Sequence, residues 1–564
     1  MLLVAGHSSD STVTESTAAS DVALPMPLDS EVYSYASKPS DHPQFKVGYT
    51  ISLTAWTLSL IGMFMFAFEV PLYFVIFIPM ALMLSFFYFI SIRNNMHYKR
   101  FDLQLHQRLV EEFLANEVRP TVDILLPVCG ESIPILRNTW EGVRGLAYPA
   151  DCVKVYVLDD AASDATRALA VQFGFTYVVR PDRGKMKKAG NLKYGLSQCS
   201  GDFVVILDAD FRPHPHFLRH TMPQMLFEDR RAIIQTPQFF DYNDAVHDRS
   251  PLEYGAGNIQ EYFYKIVQVG RSFFGSAICV GSCALYRRSA LDKAGGTYQI
   301  EHSEDVWTGF SLLRLGYQVQ YVPLIVSKGV CPDDANAYYK QQSRWASGSL
   351  SLGSSAYFWK APVSWRIRLP FFAGFLYYLT AIPFLMLHFS ANVLLWLAPH
   401  YLGWVSTIIL AVSWINAYVL LRYHIYPRAR YGTLIAFMAS VWTYGYTVVN
   451  RYLFRRIEGW VPTGSGHSLS AGFLGVVRWA TIYTVANLVA LVSSLWAMEP
   501  WNIHHYPIII ITAVFLYLNT VYLHAMRQYI SEKRGAAAAG GQGSKWWSIR
   551  TALGSQLANP FRHG

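Results

Sequence analysis

Residues 202–210 read "DFVVILDAD": an apolar run closed by Asp208 and Asp210, two carboxylates one residue apart. A short, uninterrupted apolar run ending in polar residues predicts a strand buried on both faces, as in parallel sheets. Three upstream stretches share the pattern: "TVDILLPV" (121–128), "VKVYVLDD" (153–160, ending on Asp159 and Asp160) and "FTYVVR" (175–180). Between them, Ile133–Arg144 and Ala162–Phe173 have helical spacing. Alternating strands and helices predict an α/β sheet with a ligand crevice outside the carboxyl ends of its strands, where the acidic pairs fall.

The residue types gathered there suit a phosphorylated ligand. Asp208 and Asp210 at a strand end can hold Mg²⁺ or Mn²⁺ against a diphosphate, since hard cations take oxygen ligands; an exposed acidic loop is the plainer reading. Asp159-Asp160 reads as a turn or cap, or as a nucleotide contact. "KMKKAGN" (185–191) reads as a solvated basic loop, or as a phosphate contact with Lys188 as its cation. Ser303-Glu304-Asp305 precedes the helical run "VWTGFSLLRLG", so the acids either favour a helix N-terminus or supply a general base. In "QQSRW" (341–345), helical spacing puts Gln341, Arg344 and Trp345 on one face. Arg344 can there neutralise a leaving phosphate and Trp345 can offer its ring to a sugar; an amphipathic helix beside a membrane has the same pattern.

Outward from this core the chain becomes a membrane protein. Of 564 residues, 52% are hydrophobic and 15% charged, and mean hydropathy is +0.19. Tyr49–Phe68 and Pro71–Ser91 predict a tight helical hairpin, with Arg93, Lys99 and Arg100 marking its cytoplasmic end. Leu369–Leu397 (with a kink expected near Pro383), Trp404–Leu421, Ala471–Met498 and Pro507–Met526 complete six expected spans. Gly432–Asn450 has arginines at both ends and predicts a helix along the inner interface. The resulting plan is a disordered tail (1–46), a hairpin (47–93), a cytoplasmic domain (94–365), a channel region (366–530) with an interfacial helix (432–455) and a loop (456–468), and a tail (531–564). Both termini lie on the cytoplasmic side. Net charge is +9, without a clustered basic run, which argues against nucleic acid as a partner. The six cysteines form no CxxC pair and predict reduced thiols.

The ordered set "VLDD", "KAGNL", "LDAD", "QTPQFF", "GSCALYRR", "SED" and "QQSRW", set between membrane helices, resembles the processive, membrane-integrated family 2 glycosyltransferases, which include cellulose, curdlan, chitin and hyaluronan synthases. The resemblance covers roughly residues 45–530. It implies a multi-pass α-helical membrane protein with an inserted cytoplasmic α/β domain of GT-A type, in a bacterial inner membrane. It implies a UDP-sugar donor site of Asp159, Asp160, Lys188, Asp208, Asp210, Gln341 and Arg344, with Mg²⁺ or Mn²⁺ on Asp208 and Asp210. Asp305 is then the catalytic base with Glu304 beside it, and Val280, Gly281, Ser282 and Trp345 face the acceptor. The loop "WVPTGSGH" (460–467), with Trp460, Pro462, Thr463 and His467, is expected to close over the donor. The further partners implied are a growing polysaccharide, the bilayer and accessory export proteins.

Cellulose synthases usually carry "TED", "FFCGS", "FxVTxK" and "QRxRW" where this chain has "SED", "CVGS", "WVPTG" and "QQSRW". These departures point to a curdlan-like (1→3)-β-glucan synthase using UDP-glucose. Cellulose, mixed-linkage glucan, hyaluronan and chitin synthesis are the alternatives within the family. Outside it stand a non-processive enzyme acting on a lipid phosphate and a transporter with an inactive nucleotide-binding domain.

Overall fold

The computed structural model describes residues 26–36, 43–69, 71–96, 101–240, 251–329, 331–332, 334–397, 399–401, 403–404, 431–456, 469–497 and 502–538. The four strands expected from the sequence are present: β1 (Val122–Val128), β2 (Val153–Asp159), β3 (Thr176–Val178) and β4 (Phe203–Ile206). They pair in parallel, with Val128 opposite Asp159 and Leu125 opposite Ile206, so their carboxyl ends open on one side. The helices Ile133–Arg144 and Asp164–Phe173 follow β1 and β2 as expected.

After β4 the chain turns through Asp208–Asp210 into β5 (Phe211–Pro213), followed by β6 (Arg231–Gln235), β7 (Phe239–Phe240), β8 (Ala284–Arg287), β9 (Gln318–Tyr321) and β10 (Ser327–Gly329). The main sheet has seven strands in the order β3-β2-β1-β4-β8-β6-β9, with β8 antiparallel to both β4 and β6. The sheet is therefore mixed, and its antiparallel half had no expectation in the sequence. A second sheet, β5-β10-β7, abuts the turn that bears the acidic pair. One hydrophobic cluster gathers Ile124, Leu126, Val205 and Leu285, and another Leu125, Val204, Ile206 and Tyr286. This alternation along each strand puts a packed layer on either face of the sheet.

The 1–46 stretch, expected to be a disordered tail, is corrected over residues 26–36. Asp29–Glu31 form a 3₁₀ turn, and Val32, Tyr35 and Ala36 are buried. Val32 and Ala36 join the first hydrophobic cluster and Tyr35 the second. The Val32 carbonyl accepts the Ile325 N–H at 2.9 Å, Glu31 pairs with the buried Lys328 at 2.5 Å, and Asp29 lies 2.9 Å from His214 Nε2. Polar composition suggested a tail, but Val32, Tyr35 and Ala36, spaced as on one helical face, each find a socket.

Pro43–Glu69 and Pro71–Met96 form the expected helical hairpin, tied by a hydrogen bond from Trp56 Nε1 to Ser85 Oγ (3.1 Å). The next apolar stretch is two helices, Trp365–Leu379 and Ala381–Leu397. Pro383 has no N–H for the Leu379 carbonyl and its ring crowds that carbonyl, so the break falls between them. Four described stretches are long and apolar enough to cross a membrane: Trp365–Met386, Gly432–Tyr452, Ala471–Trp496 and Ile503–Gly535. Gly432–Tyr452 differs from the rest in that 78% of its most apolar stretch is buried by protein, against 44% or less in the others. Residues 405–421 of the expected Trp404–Leu421 span lie outside the described residues.

The Tyr431–Tyr452 helix seats Pro251–Tyr262 and Ala335–Gly353 against the membrane helices. It meets Pro251–Tyr262 backbone to backbone: a Cβ on Gly255 would strike the Gly432 carbonyl, and one on Gly432 the Pro251 carbonyl. It holds Ala335–Gly353 by polar pairs, Tyr338–Ser440 (2.8 Å), Gln342–Tyr444 (2.5 Å) and Ser343–Thr447 (3.0 Å).

Candidate active site

The crevice at the strand ends is built first from the loop after β2. Asp159 is wholly buried; its carboxylate accepts the N–H groups of Ala161 (2.8 Å) and Ser163 (2.9 Å) and the Tyr177 hydroxyl (2.8 Å). It shapes the loop from within. Asp160 receives a two-pronged bond from Arg180, Nε to Oδ1 at 2.6 Å and Nη2 to Oδ2 at 2.7 Å. The buried Arg180 also donates to the carbonyls of Lys185 (2.7 Å) and Lys187 (3.2 Å). It thus binds the loop after β2 to the segment carrying Lys188, and so orders two of the expected donor contacts. Sequence reasoning missed Arg180, although it closes the "FTYVVR" strand.

Lys188 is the junction of the site. Its Nζ bonds the Asp208 carboxylate, donates to the Gly281 carbonyl (3.0 Å) and lies 3.8 Å from Glu304. Burial disfavours this ammonium's charge, but Asp208, Glu304 and Asp305 outweigh it and hold the group above its ordinary range. One lysine therefore brings together the "KAGNL", "LDAD", "GSCALYRR" and "SED" segments.

The acidic turn is fixed by the Ser282 hydroxyl, which accepts the Asp208 N–H at 2.8 Å, and by Thr139, which donates to the Ala209 carbonyl at 2.7 Å. Burial, then the neighbouring Asp208 and Glu131, raises the Asp210 carboxyl to about 7. Glu131, three residues past the end of β1, was not anticipated. Burial and the nearby acids raise its carboxyl too, and it accepts the Cys129 N–H at 2.6 Å. Its signal was positional: like Asp159 and Asp208, it stands at a carboxyl end of the parallel half. Among the described residues no group of three or more His, Cys, Asp or Glu forms a ready metal cage. The crowded carboxylates, with protonation favoured at Asp210, suit instead a cation that takes one or two protein carboxylates and completes its shell on substrate phosphates, as Mg²⁺ does.

The 280–283 loop, expected to face the acceptor, is held from the antiparallel half. Gln235 donates to the Ser282 carbonyl (2.8 Å) and accepts the Val280 N–H (2.9 Å). Gln238 donates to the Val280 carbonyl (3.3 Å), and Thr236 to that of Cys283 (2.7 Å). The "QTPQ" segment is thus a clamp on the 280–283 loop. Gly281 has φ +76°, and a Cβ there would lie 2.9 Å from Asp305 Cβ. Glycine both permits the left-handed turn and admits Asp305. Burial, then Glu304, raises the Asp305 carboxyl to about 7, against Lys188 and Arg344. Ser303 is left-handed (φ 54°) and packs onto Gly348 of the Ala335–Gly353 helix. On that helix Gln341, Arg344 and Trp345 are partly exposed, whereas Gln342 and Ser343 are buried against Tyr431–Tyr452. Arg344 has no ion pair among the described residues. Trp460, Pro462, Thr463 and His467 lie outside the described residues.

Residues 203–426 match the glycosyl transferase family group 2. The cellulose synthase 1 catalytic subunit (UDP-forming) of Komagataeibacter xylinus is 34% identical over 239 residues, 41% of this chain and 31% of that protein. The cellulose synthase catalytic subunit (UDP-forming) of Xanthomonas axonopodis pv. citri is 30% identical over 233 residues, 41% of this chain and 32% of its own length. The chain thus spans about a third of the length of these curated relatives. A mannosyltransferase of Pyrobaculum calidifontis, solved with GDP-Man and Mn²⁺, aligns over 74% of this chain and 99% of its own at 16% identity and a TM-score of 0.36. The turn bearing Asp208, the 280–283 loop, the Ser303–Asp305 acids and the Arg344 helix all fall within the residues that match this family, beside the mixed α/β sheet.

Proposed function

We propose that the protein is a processive inverting glycosyltransferase that builds a β-glucan from UDP-glucose and passes it across the membrane. The observation that carries this reading is the Lys188 junction, which sets Asp208, the Gly281 carbonyl and Glu304 around one ammonium with Asp305 against Gly281. The loop shaped by Asp159 and the Asp160–Arg180 pair would receive the uridine. Lys188 and Arg344 would hold the diphosphate. Asp208 and Asp210 would hold Mg²⁺ or Mn²⁺, which when bound would neutralise diphosphate charge.

Asp305 takes the proton from the acceptor hydroxyl, whose oxygen attacks the anomeric carbon as the bond to UDP breaks, inverting α to β. A carboxyl raised towards neutrality is a better base than an ordinary one, and general base catalysis contributes roughly 10²–10⁴-fold. Lys188 and Arg344 counter the charge that develops on the departing diphosphate. Trp345 offers its ring to the terminal sugar, and Gln341 borders the donor on the same helix face. The loop around Trp460, Pro462, Thr463 and His467 would close over the donor and exclude water. The catalytic domain and both termini would face the cytoplasm of a bacterium, with the polymer leaving between the later helices and accessory proteins receiving it.

The finer reading, a (1→3) linkage, rests on the "SED", "CVGS" and "WVPTG" departures. A (1→4) linkage is the second reading, favoured by relatives named cellulose synthase. Purified protein incubated with separate labelled UDP-sugars tests both. Polymer from UDP-glucose that resists (1→4)-glucanase and yields to (1→3)-glucanase is expected. The reverse digestion would select cellulose, and no polymer with any UDP-sugar would reject the reading.

A further inference from the structure

The strap at residues 29–36 reaches the acceptor loop through an unbroken series of contacts. Tyr35 lies edge-on to Phe239 (5.8 Å) and beneath Lys265, whose Nζ is 4.8 Å from the ring centre. Lys265 belongs to Phe263–Val267, a π-helical turn set within an otherwise α-helical run. Such a turn holds one residue more than the α-helix and persists where surrounding contacts demand it. Within this turn Tyr264 is buried. Its hydroxyl donates to Gln238 Oε1 at 3.2 Å, its carbonyl accepts the Tyr321 hydroxyl at 2.9 Å, and Gln238 in turn holds the Val280 carbonyl. Val280 opens the loop whose Gly281 meets Asp305. The strap is also tethered to the membrane: six residues separate Ala36 from the helix beginning at Pro43, a reach of at most about 25 Å.

We propose that the strap is a positioning element for the acceptor. Tyr35, through the π-turn and Gln238, sets where the 280–283 loop holds the end of the growing chain relative to Asp305, and so keeps donor cleavage tied to chain growth. The proposal rests on the glycosyl-transfer reading. With the loop displaced, water takes the place of the acceptor hydroxyl. Its oxygen bonds the anomeric carbon, the bond to UDP breaks, the proton passes to Asp305 and free sugar leaves. The Asp160–Arg180 pair and the Lys188–Asp208 contact do not pass through this loop.

The test uses full-length protein in lipid nanodiscs and measures UDP released per sugar incorporated, product length and KM for the UDP-sugar. Tyr35→Ala is expected to raise the ratio several-fold and shorten the product at unchanged KM, with Tyr35→Phe restoring both. Lys265→Met and Gln238→Leu should move the ratio the same way and carry the test if Tyr35→Ala does not accumulate. The Tyr35→Ala, Gln238→Leu double variant should be no worse than the stronger single one, as expected for residues acting in series. A Tyr35→Ala protein with wild-type ratio and product length would overturn the proposal, as would a parallel fall in polymer and UDP with a raised KM. Wild-type protein that releases no UDP would overturn the transfer reading itself.

Discussion

The two ends of the site, proposed to hold the donor and the acceptor, are assembled by different means. At the donor end, charged groups arrive at the tips of consecutive parallel strands and pair with near neighbours, as Asp160 does with Arg180 twenty residues on. At the acceptor end, the 280–283 loop is fastened by Gln235, Thr236 and Gln238 from a strand about 45 residues earlier, while the Arg344 helix is fastened by Tyr444 and Thr447 about a hundred residues later. The first end thus rests on local pairs as well as on contacts from Lys188 to Gly281 and from Asp208 to Ser282, whereas the second inherits its geometry from the antiparallel half and from the helices at the membrane. Damage at the acceptor end should fall on transfer, and damage at the donor end on affinity.

The sharpest test is Asp305→Asn, which keeps size and removes basicity. Polymer synthesis should fall by about 10²-fold or more, with UDP affinity by calorimetry within a factor of about two. Near-normal turnover would move the base to Glu304. Next, chelation or Asp208→Asn should abolish most activity, restored by Mg²⁺ or Mn²⁺ in the wild type alone, since the acidic turn has carboxylate to spare and little cation. Full activity in excess EDTA would reject that assignment.

Gly281→Ala should be intermediate. Its left-handed φ costs an L-residue about 1–2 kcal/mol, and the new methyl would press on Asp305. A roughly tenfold loss of kcat with little change in KM is the acceptor-end signature. Arg180→Lys should show the converse, a roughly three- to tenfold rise in KM at near-constant kcat, because an ammonium cannot make the two-pronged bond. Identical signatures from the two variants would erase the distinction between the ends.

The smallest effect is on stability with pH. Asp210 and Asp305 are raised from ordinary carboxyl values to about 7, so between about pH 4 and 7 the folded protein holds more protons than the unfolded chain. Their stabilisation is complete below about pH 4 and is lost as pH rises through 7. Melting of the metal-free protein should therefore move down across this range, less steeply in Asp210→Asn. A flat profile in both would remove the electrostatic part of the argument.

This division also explains what could be read from the chain. The four parallel strands and the acids Asp159, Asp208 and Asp305 were legible because strand ends and apolar runs are local signals. Arg180 and Glu131 were missed because a single charged residue gains meaning only from what it faces. The strap was misread because its docking depends on Ile325, Lys328 and Phe239, three hundred or two hundred residues away, and composition alone favoured disorder. The antiparallel β8 lies within "GSCALYRR", yet no periodicity in that motif reveals its direction in the sheet. The division of Trp365–Leu397 into two helices had its cause, Pro383, in plain view.

The glycine-to-carbonyl seat between Pro251–Tyr262 and Tyr431–Tyr452 sets a rule for building hybrids of this protein. Neither helix can accept a partner whose contact residue carries even one more carbon, so the two behave as a lock and key cut from one blank. A chimera that imports the membrane half from another protein must import residues 251–262 with it, or carry glycine at both matching positions. Exchange points chosen at the edges of the α/β domain would separate the two halves of that seat, while points placed before residue 251 and after residue 452 would keep it whole.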